Sequence, residues 1–147
     1  MKRRHHICYS ALLSLAALLI SGVASADASL LLGTYWFPDK DGQLEIVQSG
    51  SEFQGKVSAY DIPDQKDDLN PDPALKGQLF LGSLMLKGFH YNEKKERWEG
   101  GTVYDASEGK SYKSRLWFDD NDTSVLNVRG YIGSPMFGRT TVFERVK

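Results

Sequence analysis

The feature of this chain that most constrains its fold is a series of short segments in which apolar and polar residues alternate. Residues 97–104 and 110–118 form two of these segments, separated by a turn at 105–109 that ends in glycine. In the second segment Tyr112 and Leu116 share one parity, while lysine and arginine occupy the other. A period of two residues sends alternate side chains to opposite faces of a strand, so this stretch predicts a half-buried β-hairpin.

Similar segments recur along the whole chain after residue 26, and most are separated by short turns rich in Gly, Asp, Asn or Ser. We predict strands at 30–37, 43–48, 53–60, 80–89, 97–104, 110–118, 124–132 and 138–146. An eight-stranded antiparallel meander removes its exposed edges by closing on itself, and its interior then either fills with side chains or holds one small ligand. The sequence therefore predicts an all-β, up-and-down barrel, with a β-sandwich as the alternative.

Two consecutive glycines, Gly100 and Gly101, lie inside one of the predicted strands. Glycine in a strand costs backbone entropy and offers no side chain to pack, so its presence needs a local reason. We predict a β-bulge or a close approach of the backbone at this pair, where the sheet bends sharply.

Residues 1–26 have the three parts of a secretory signal peptide. Basic residues at 2–4 precede an apolar run at 7–23, and small residues at 24–26 provide a cleavage site. We predict cleavage before Asp27 and export to the periplasm or the cell exterior. A retained membrane anchor is the alternative, because the apolar run approaches spanning length.

The single cysteine of the chain, Cys8, lies inside this segment and far from the cleavage site, so we expect no lipid anchor. The predicted mature chain, 27–147, has no cysteine and therefore neither disulfides nor a thiol nucleophile.

All 19 acidic residues follow Ala26 while three of the 18 basic ones precede it, which gives the mature chain a formal charge of −4. An acidic chain without basic clusters argues against nucleic acid and anionic lipid surfaces as partners. We expect a monomer or weak dimer with no membrane span after cleavage.

The least regular stretch is the loop at 61–77, which contains five aspartates and three prolines. Loops of this length are commonly functional or mobile. Asp72 followed by proline, with Gly77 at the end, predicts a single capped helical turn. Asp67, Asn70 and Asp72 are candidates for a partner-facing surface. Closely spaced loop acids are more often solvated or capping than metal-binding, so we predict no metal site.

Motifs that carry chemistry are scarce. The mature chain has one histidine, His90, and it has no Gly-x-Ser-x-Gly elbow, no Gly-rich phosphate loop and no His-Glu-x-x-His pair. Carboxylates, lysines and tyrosines remain, and paired carboxylates can hydrolyse glycosides. We predict no cofactor, no catalytic residues and no enzymatic activity, with a carboxylate-based enzyme as the weaker alternative.

A set of short motifs in fixed order carries a family resemblance over the whole mature chain. They are Asp67 with Asn-Pro-Asp-Pro at 70–73, Trp-Glu-Gly-Gly at 98–101, Tyr-Asp at 104–105, Gly-Lys-Ser-Tyr at 109–112, Val-Arg-Gly-Tyr-Ile-Gly at 128–133 and Gly-Arg-Thr at 138–140. With these motifs the chain resembles a bacterial family of small exported proteins catalogued as domain of unknown function number 2147. The resemblance implies a small lipocalin-like barrel.

The chain departs from the family pattern at two aromatic positions. The family and lipocalins in general begin with Gly-x-Trp, whereas this chain reads Gly-Thr-Tyr-Trp from Gly33, so either Tyr35 takes the tryptophan's place or the strand is shifted to Trp36. Near the end, Phe143 stands where the family commonly has a tryptophan two residues before an arginine, here Arg145. These residues decide whether an aromatic ring stacked on an arginine closes the barrel, as the resemblance implies.

A barrel of this size predicts binding of a small apolar or amphipathic ligand in its interior. Asp105, Tyr112 and Arg129 are candidates for the polar contacts, and Trp98 is a candidate for an aromatic one. The alternative is a protein-binding or inhibitor module of the cell envelope that uses the loop 61–77 as its contact surface.

The exported protein is predicted to begin at Asp27 and to be soluble, because the signal-peptide pattern ends at Ala26. Intact-mass spectrometry of protein recovered from the exported fraction measures this directly. A mass that retains the first 26 residues, or one that includes a lipid, contradicts the prediction.

Overall fold

The computed structural model describes residues 27–120 and 122–147, so the predicted signal peptide lies outside the described residues. Two short 3-10 helices, Ala28–Leu31 and Pro135–Phe137, accompany the sheet. The strands are β1 (Gly33–Trp36), β2 (Gly42–Ser49), β3 (Glu52–Tyr60), β4 (Leu84–Asn92), β5 (Arg97–Asp105), β6 (Lys110–Phe118), β7 (Val125–Tyr131) and β8 (Arg139–Arg145). Among the described residues, no helix is long and apolar enough to cross a membrane.

Each strand pairs antiparallel with the next one along the chain, and β8 pairs with β1 to close the sheet. The closing contact aligns Tyr35 with Arg145 and Trp36 with Glu144. The predicted eight-stranded up-and-down barrel is therefore confirmed, and the β-sandwich alternative is not.

The first and fourth strands begin three and four residues later than predicted, and the fourth also continues to Asn92; both late starts have a local cause. The first strand begins at Gly33 because the apolar residues before it form the helix Ala28–Leu31. The fourth begins at Leu84 because the amide of Ser83 donates to the carbonyl of Phe80 in a turn. Apolar residues without alternation occur in both places, and such a run does not distinguish a strand from a buried turn.

The helix Ala28–Leu31 covers one end of the barrel. Its first and last residues, Ala28 and Leu31, are buried. Two interior side chains hold it there: the indole of Trp98 donates to the carbonyl of Ala28 at 3.2 Å, and the hydroxyl of Tyr35 donates to the carbonyl of Leu31 at 2.9 Å. We call this end, which also includes the connections at 50–51 and 93–96 and residues 119–120 and 122–124, the closed end.

Arg145 completes the closed end. Its guanidinium donates to three backbone carbonyls, those of Leu30 at 2.6 Å, Leu32 at 2.8 Å and Thr123 at 2.8 Å. It also lies 4.7 Å from the centre of the Tyr35 ring. Tyr35 is fully buried. Of the two alternatives for the Gly-x-Trp position, Tyr35 therefore takes the place of the tryptophan, and the strand is not shifted by one residue.

Gly33 makes room for this arginine. Its φ of +141° is rarely adopted by other residues, and a Cβ added there would lie 2.5 Å from Nη1 of Arg145. Glycine is thus required at this position both for its conformation and for the close approach of the guanidinium.

The glycine pair in β5 forms the predicted bulge, since the register with β6 shifts between Trp98 and Gly101. Gly100 has a φ of +84° and open space around it. Gly101 differs, because a Cβ there would lie 2.5 Å from both the carbonyl oxygen of Lys87 and the ring of Phe89. One glycine therefore supplies an unusual backbone conformation and the other supplies space.

We predict that Gly101→Ala destabilises the protein more than Gly100→Ala. The first must displace a backbone carbonyl and a buried ring, which costs about 3 kcal/mol or more, while the second meets only backbone strain of about 1 kcal/mol. Urea unfolding monitored by circular dichroism measures both losses of unfolding free energy. Each is obtained from the shift in the unfolding midpoint, provided that the dependence of the free energy on urea concentration is unchanged. An unchanged midpoint for Gly101→Ala contradicts the packing described above.

Candidate functional site

The end of the barrel opposite Arg145 contains a cavity of about 830 Å³. Four connections surround its mouth, at 37–41, 61–83, 106–109 and 132–138. We call this end the open end.

Aromatic rings form much of the cavity wall. Phe37 is central among them, with ring centres 6.1 Å from Phe143 and 6.3 Å from both Tyr60 and Phe80. Tyr60 and Phe80 also meet edge to face at 5.0 Å. Val128, from β7, adds an aliphatic surface to the lining. The wall therefore suits an apolar ligand.

The cavity begins where inward-facing side chains become small. Gly101, Ser114 and Gly130 lie side by side on β5, β6 and β7. One step closer to the closed end, Leu116 pairs with Val128, and both of these side chains are buried. Large side chains thus fill the interior up to that level and leave it open above.

Ser114 is the polar member of this row. It is fully buried, and its Oγ has no hydrogen-bond partner within the described chain. Tyr112 and Leu116 share its parity on β6, which places the Ser114 hydroxyl on the interior face. Buried polar groups normally find a partner. Ser114 has no exposed surface and is not among the residues that line the cavity, so its hydroxyl is an unpaired group of the packed interior beside Gly130.

The tip of the β5–β6 hairpin contributes carboxylates to the mouth. Asp105 accepts hydrogen bonds from the amide of Ser107 at 2.9 Å and from its hydroxyl at 2.6 Å. Glu108 accepts a hydrogen bond from the hydroxyl of Tyr112, and this bond to a carboxylate raises the pKa of Tyr112. Asp105, Glu108 and Tyr112 all line the cavity.

Of the four predicted ligand-binding residues, Asp105 and Tyr112 line the cavity and the other two lie elsewhere. Trp98 is 2% exposed and belongs to the closed end, where its ring lies 4.9 Å from Tyr91 and 5.6 Å from Phe118. The cavity lining includes no tryptophan.

Arg129 stabilises the β7–β8 connection. Its guanidinium donates to the carbonyl of Pro135 at 2.7 Å, to the hydroxyl of Thr140 at 2.8 Å and to the carbonyl of Met136 at 3.4 Å. These bonds occupy the arginine, while Met136 and Phe137 are left about 80% exposed beside the mouth.

Within the loop 61–77, Asp67 is buried and does not face solvent. Its carboxylate accepts hydrogen bonds from the hydroxyl of Tyr104 and from the side-chain Nδ2 of Asn70, both at 2.7 Å. Its backbone pairs with Gln78 and Gly77, at 2.9 Å in each case. Asp67 is thus the residue that attaches the loop to the barrel, and sequence alone did not reveal this role.

Asn70 and Asp72 form the predicted capped turn. Asp72 accepts a hydrogen bond from the amide of Ala74 at 2.9 Å, and its own amide donates to the side chain of Asn70 at 3.0 Å. Asp72 is exposed and Asn70 is half-buried, so the exposed side of this turn remains a candidate contact surface.

The loop also packs against the hairpin that carries the carboxylates. Gly109 has a φ of +65°, and a Cβ there would lie 2.1 Å from the carbonyl oxygen of Leu69. Only glycine permits this approach. The loop and the hairpin tip therefore form one continuous side of the mouth.

Among the residues that the structure describes, no three His, Cys, Asp or Glu side chains are grouped to hold a metal ion. His90 lies on the outer surface, where its Nε2 is 3.4 Å from Glu52.

A closed eight-stranded antiparallel barrel with one packed end and one open cavity defines a lipocalin-like protein. The family model of uncharacterized proteins conserved in bacteria (DUF2147) matches residues 33–145, and the chain belongs to this family. Both the predicted family and the predicted fold are thereby confirmed.

Among solved structures, the chain is similar to one titled "Protein HP1028 from the human pathogen Helicobacter pylori belongs to the lipocalin family". The TM-score is 0.67 at 22% sequence identity, and the match covers 80% of this chain and 83% of that one. At this identity the likeness concerns the fold alone. No curated protein matches the chain.

We predict that Tyr104→Phe destabilises the fold by about 1–3 kcal/mol, because it removes the donor to Oδ1 of the buried Asp67 carboxylate and leaves only the Asn70 side chain, which donates to Oδ2. Burial, followed by the hydrogen bond and charge of Asp67, raises the pKa of Tyr104. Because the pKa is raised on folding, the protonated hydroxyl stabilises the folded protein fully at pH values below its unfolded pKa of about 10. This stabilisation is lost as the pH rises above that value.

Urea unfolding between pH 7 and 11 measures both effects. The variant should lose stability at neutral pH and show a weaker decline above pH 10, with some decline left from Tyr35, whose pKa burial raises to about 12. Tyr131→Phe, at a half-buried tyrosine of the open end, is the control. Equal stability of the two variants contradicts the anchoring role of Tyr104.

Proposed function

We propose that this protein binds a small, largely apolar molecule in the cavity at its open end and does not catalyse a reaction. The observation that carries the proposal is the cavity itself, whose volume of about 830 Å³ lies within the usual range for ligand sites. Its aromatic wall and few polar groups at the mouth are the usual composition of such sites.

The expected affinity is modest. Burying about 200 Å² of apolar ligand surface contributes about 5 kcal/mol at 25 cal/mol per Å². Part of this is offset by the entropy lost on association. Micromolar binding therefore needs polar contacts as well, for which Asp105 and Tyr112 are placed at the mouth.

A binding role agrees better than an enzymatic one with the positions of the chemically active groups. His90 is on the outer surface, remote from the cavity lining.

A second candidate is a protein-binding module of the cell envelope. The loop 61–77 exposes three large apolar side chains, Ile62 at 51%, Leu69 at 58% and Leu75 at 42%. Apolar side chains on a loop held by Asp67 would suit a protein contact. In either case, the signal-peptide pattern at 1–26 leads us to propose a periplasmic or secreted location.

We expect saturable, one-to-one binding of the neutral dye N-phenyl-1-naphthylamine at micromolar concentration, measured by its own fluorescence because no tryptophan lines the cavity. Thr141→Trp places an indole inside the cavity and should weaken this binding at least about tenfold, since the ligand loses its space. Native mass spectrometry of the isolated protein tests for a molecule that co-purifies.

Val142→Trp is the matched control, because it adds the same ring to the exposed outer face of the same strand. It should bind like the unmodified protein. Absence of both a co-purifying molecule and saturable dye binding overturns the ligand proposal and favours the protein-binding candidate. Unchanged binding by Thr141→Trp would place the site outside the cavity.

A further inference from the structure

We infer that the cavity selects an amphiphile whose head group is positively charged, such as an alkylammonium compound, over one with a carboxylate head. This inference rests on the proposed ligand-binding function and adds the sign of the ligand's charge. The cavity defines the site, and the charges around its mouth decide which head group it favours.

The side chains that line the cavity carry a net negative charge. Four acids, Asp39, Asp41, Asp105 and Glu108, contribute to the lining. Two bases, Lys66 and Arg139, oppose them.

The connections around the mouth strengthen this bias. Together, the four connections that surround the mouth contain eight acidic residues and three lysines, a net charge of −5. Two ion pairs lie at the mouth in the described part of the chain: Lys40 is 2.5 Å from Glu144, and Lys110 is 3.9 Å from Glu108 at exposed positions, so the acids outnumber the bases with both pairs taken into account. A carboxylate head group brought to this mouth would meet repulsion from several sides, whereas a cation would be attracted.

The aromatic wall suits a cation for a second reason. Ammonium groups bind favourably to the faces of aromatic rings, and the attraction grows where water is excluded. Tyr112 and Tyr60 line the cavity, and Tyr112 is hydrogen-bonded to the Glu108 carboxylate. A cationic head at this position would thus find a ring face and a carboxylate together, while its alkyl tail packs against Phe37 and Phe143.

The test compares three probes with the same tail: dodecylammonium, dodecanol and dodecanoate, each below its micellar concentration at pH 7. Displacement of N-phenyl-1-naphthylamine gives the three affinities. Dodecylammonium should bind at least about tenfold tighter than dodecanoate, with dodecanol between them, and added salt should narrow the difference by screening the charges.

The double variant Asp105→Asn/Glu108→Gln tests the residues themselves. Both replacements keep an acceptor for Ser107 and Tyr112 and remove two charges. The preference for dodecylammonium over dodecanoate should fall about tenfold, because the affinity for dodecylammonium falls and the affinity for dodecanoate rises relative to that for dodecanol. The control Glu93→Gln/Asp120→Asn removes the same charge at exposed positions of the closed end and should leave the preference unchanged.

The outcomes separate the two proposals. Equal or tighter binding of dodecanoate overturns the charge preference and leaves the ligand-binding proposal standing. A preference that the mouth variant and the closed-end control reduce equally also overturns it, because net charge alone would then be the cause. If none of the three probes binds, the ligand-binding proposal falls as well.

Discussion

The rest of this structure depends on the contact between Arg145 and the segments that meet at the closed end. The pairing of β1 with β8 aligns only two residue pairs, so this seam is the shortest in the barrel. Arg145 lies in that seam, stacks on Tyr35 and donates to carbonyls of the N-terminal segment and of the β6–β7 turn. Hydrogen bonds from a charged donor are among the stronger ones in proteins. One side chain thus joins the seam, the covering helix and a turn.

Because the closed end is stabilised by packing, the open end is free to remain unfilled. The packed interior of the closed end gives way to the cavity at the row formed by Gly101, Ser114 and Gly130, where the interior side chains become small. Below it, Trp98 packs among other rings, and above it the rings of residues such as Phe37 face the cavity. The packed layer that stabilises the barrel and the cavity proposed to bind a ligand are therefore different layers of one barrel.

The strands were predictable because alternation is a local signal, and the closed topology followed from eight such segments in sequence. The site was predictable only in part. Alternation tells which residues face the interior but does not tell one end of the interior from the other, so it does not show that Trp98 belongs to the closed end. Arg129 is a sequence candidate for a polar ligand contact, yet it bonds to a connection that the sequence does not position. Asp67 resembled a solvated loop acid, since its partner Tyr104 lies 37 residues away along the chain.

The attachment of the long loop has a consequence for how the family can vary. Lys66 and Leu79 form a β-bridge, and the backbone of Asp67 pairs with Gly77 and Gln78. The two ends of the segment 68–76 are therefore held next to each other. The entropy of closing a loop changes slowly with its length. Insertions or replacements between Asn70 and Gly77 would alter the surface beside the mouth while the bond of Asn70 to Asp67 and the contact of Leu69 with Gly109 stay in place, so this part of the loop can diverge without loss of the barrel.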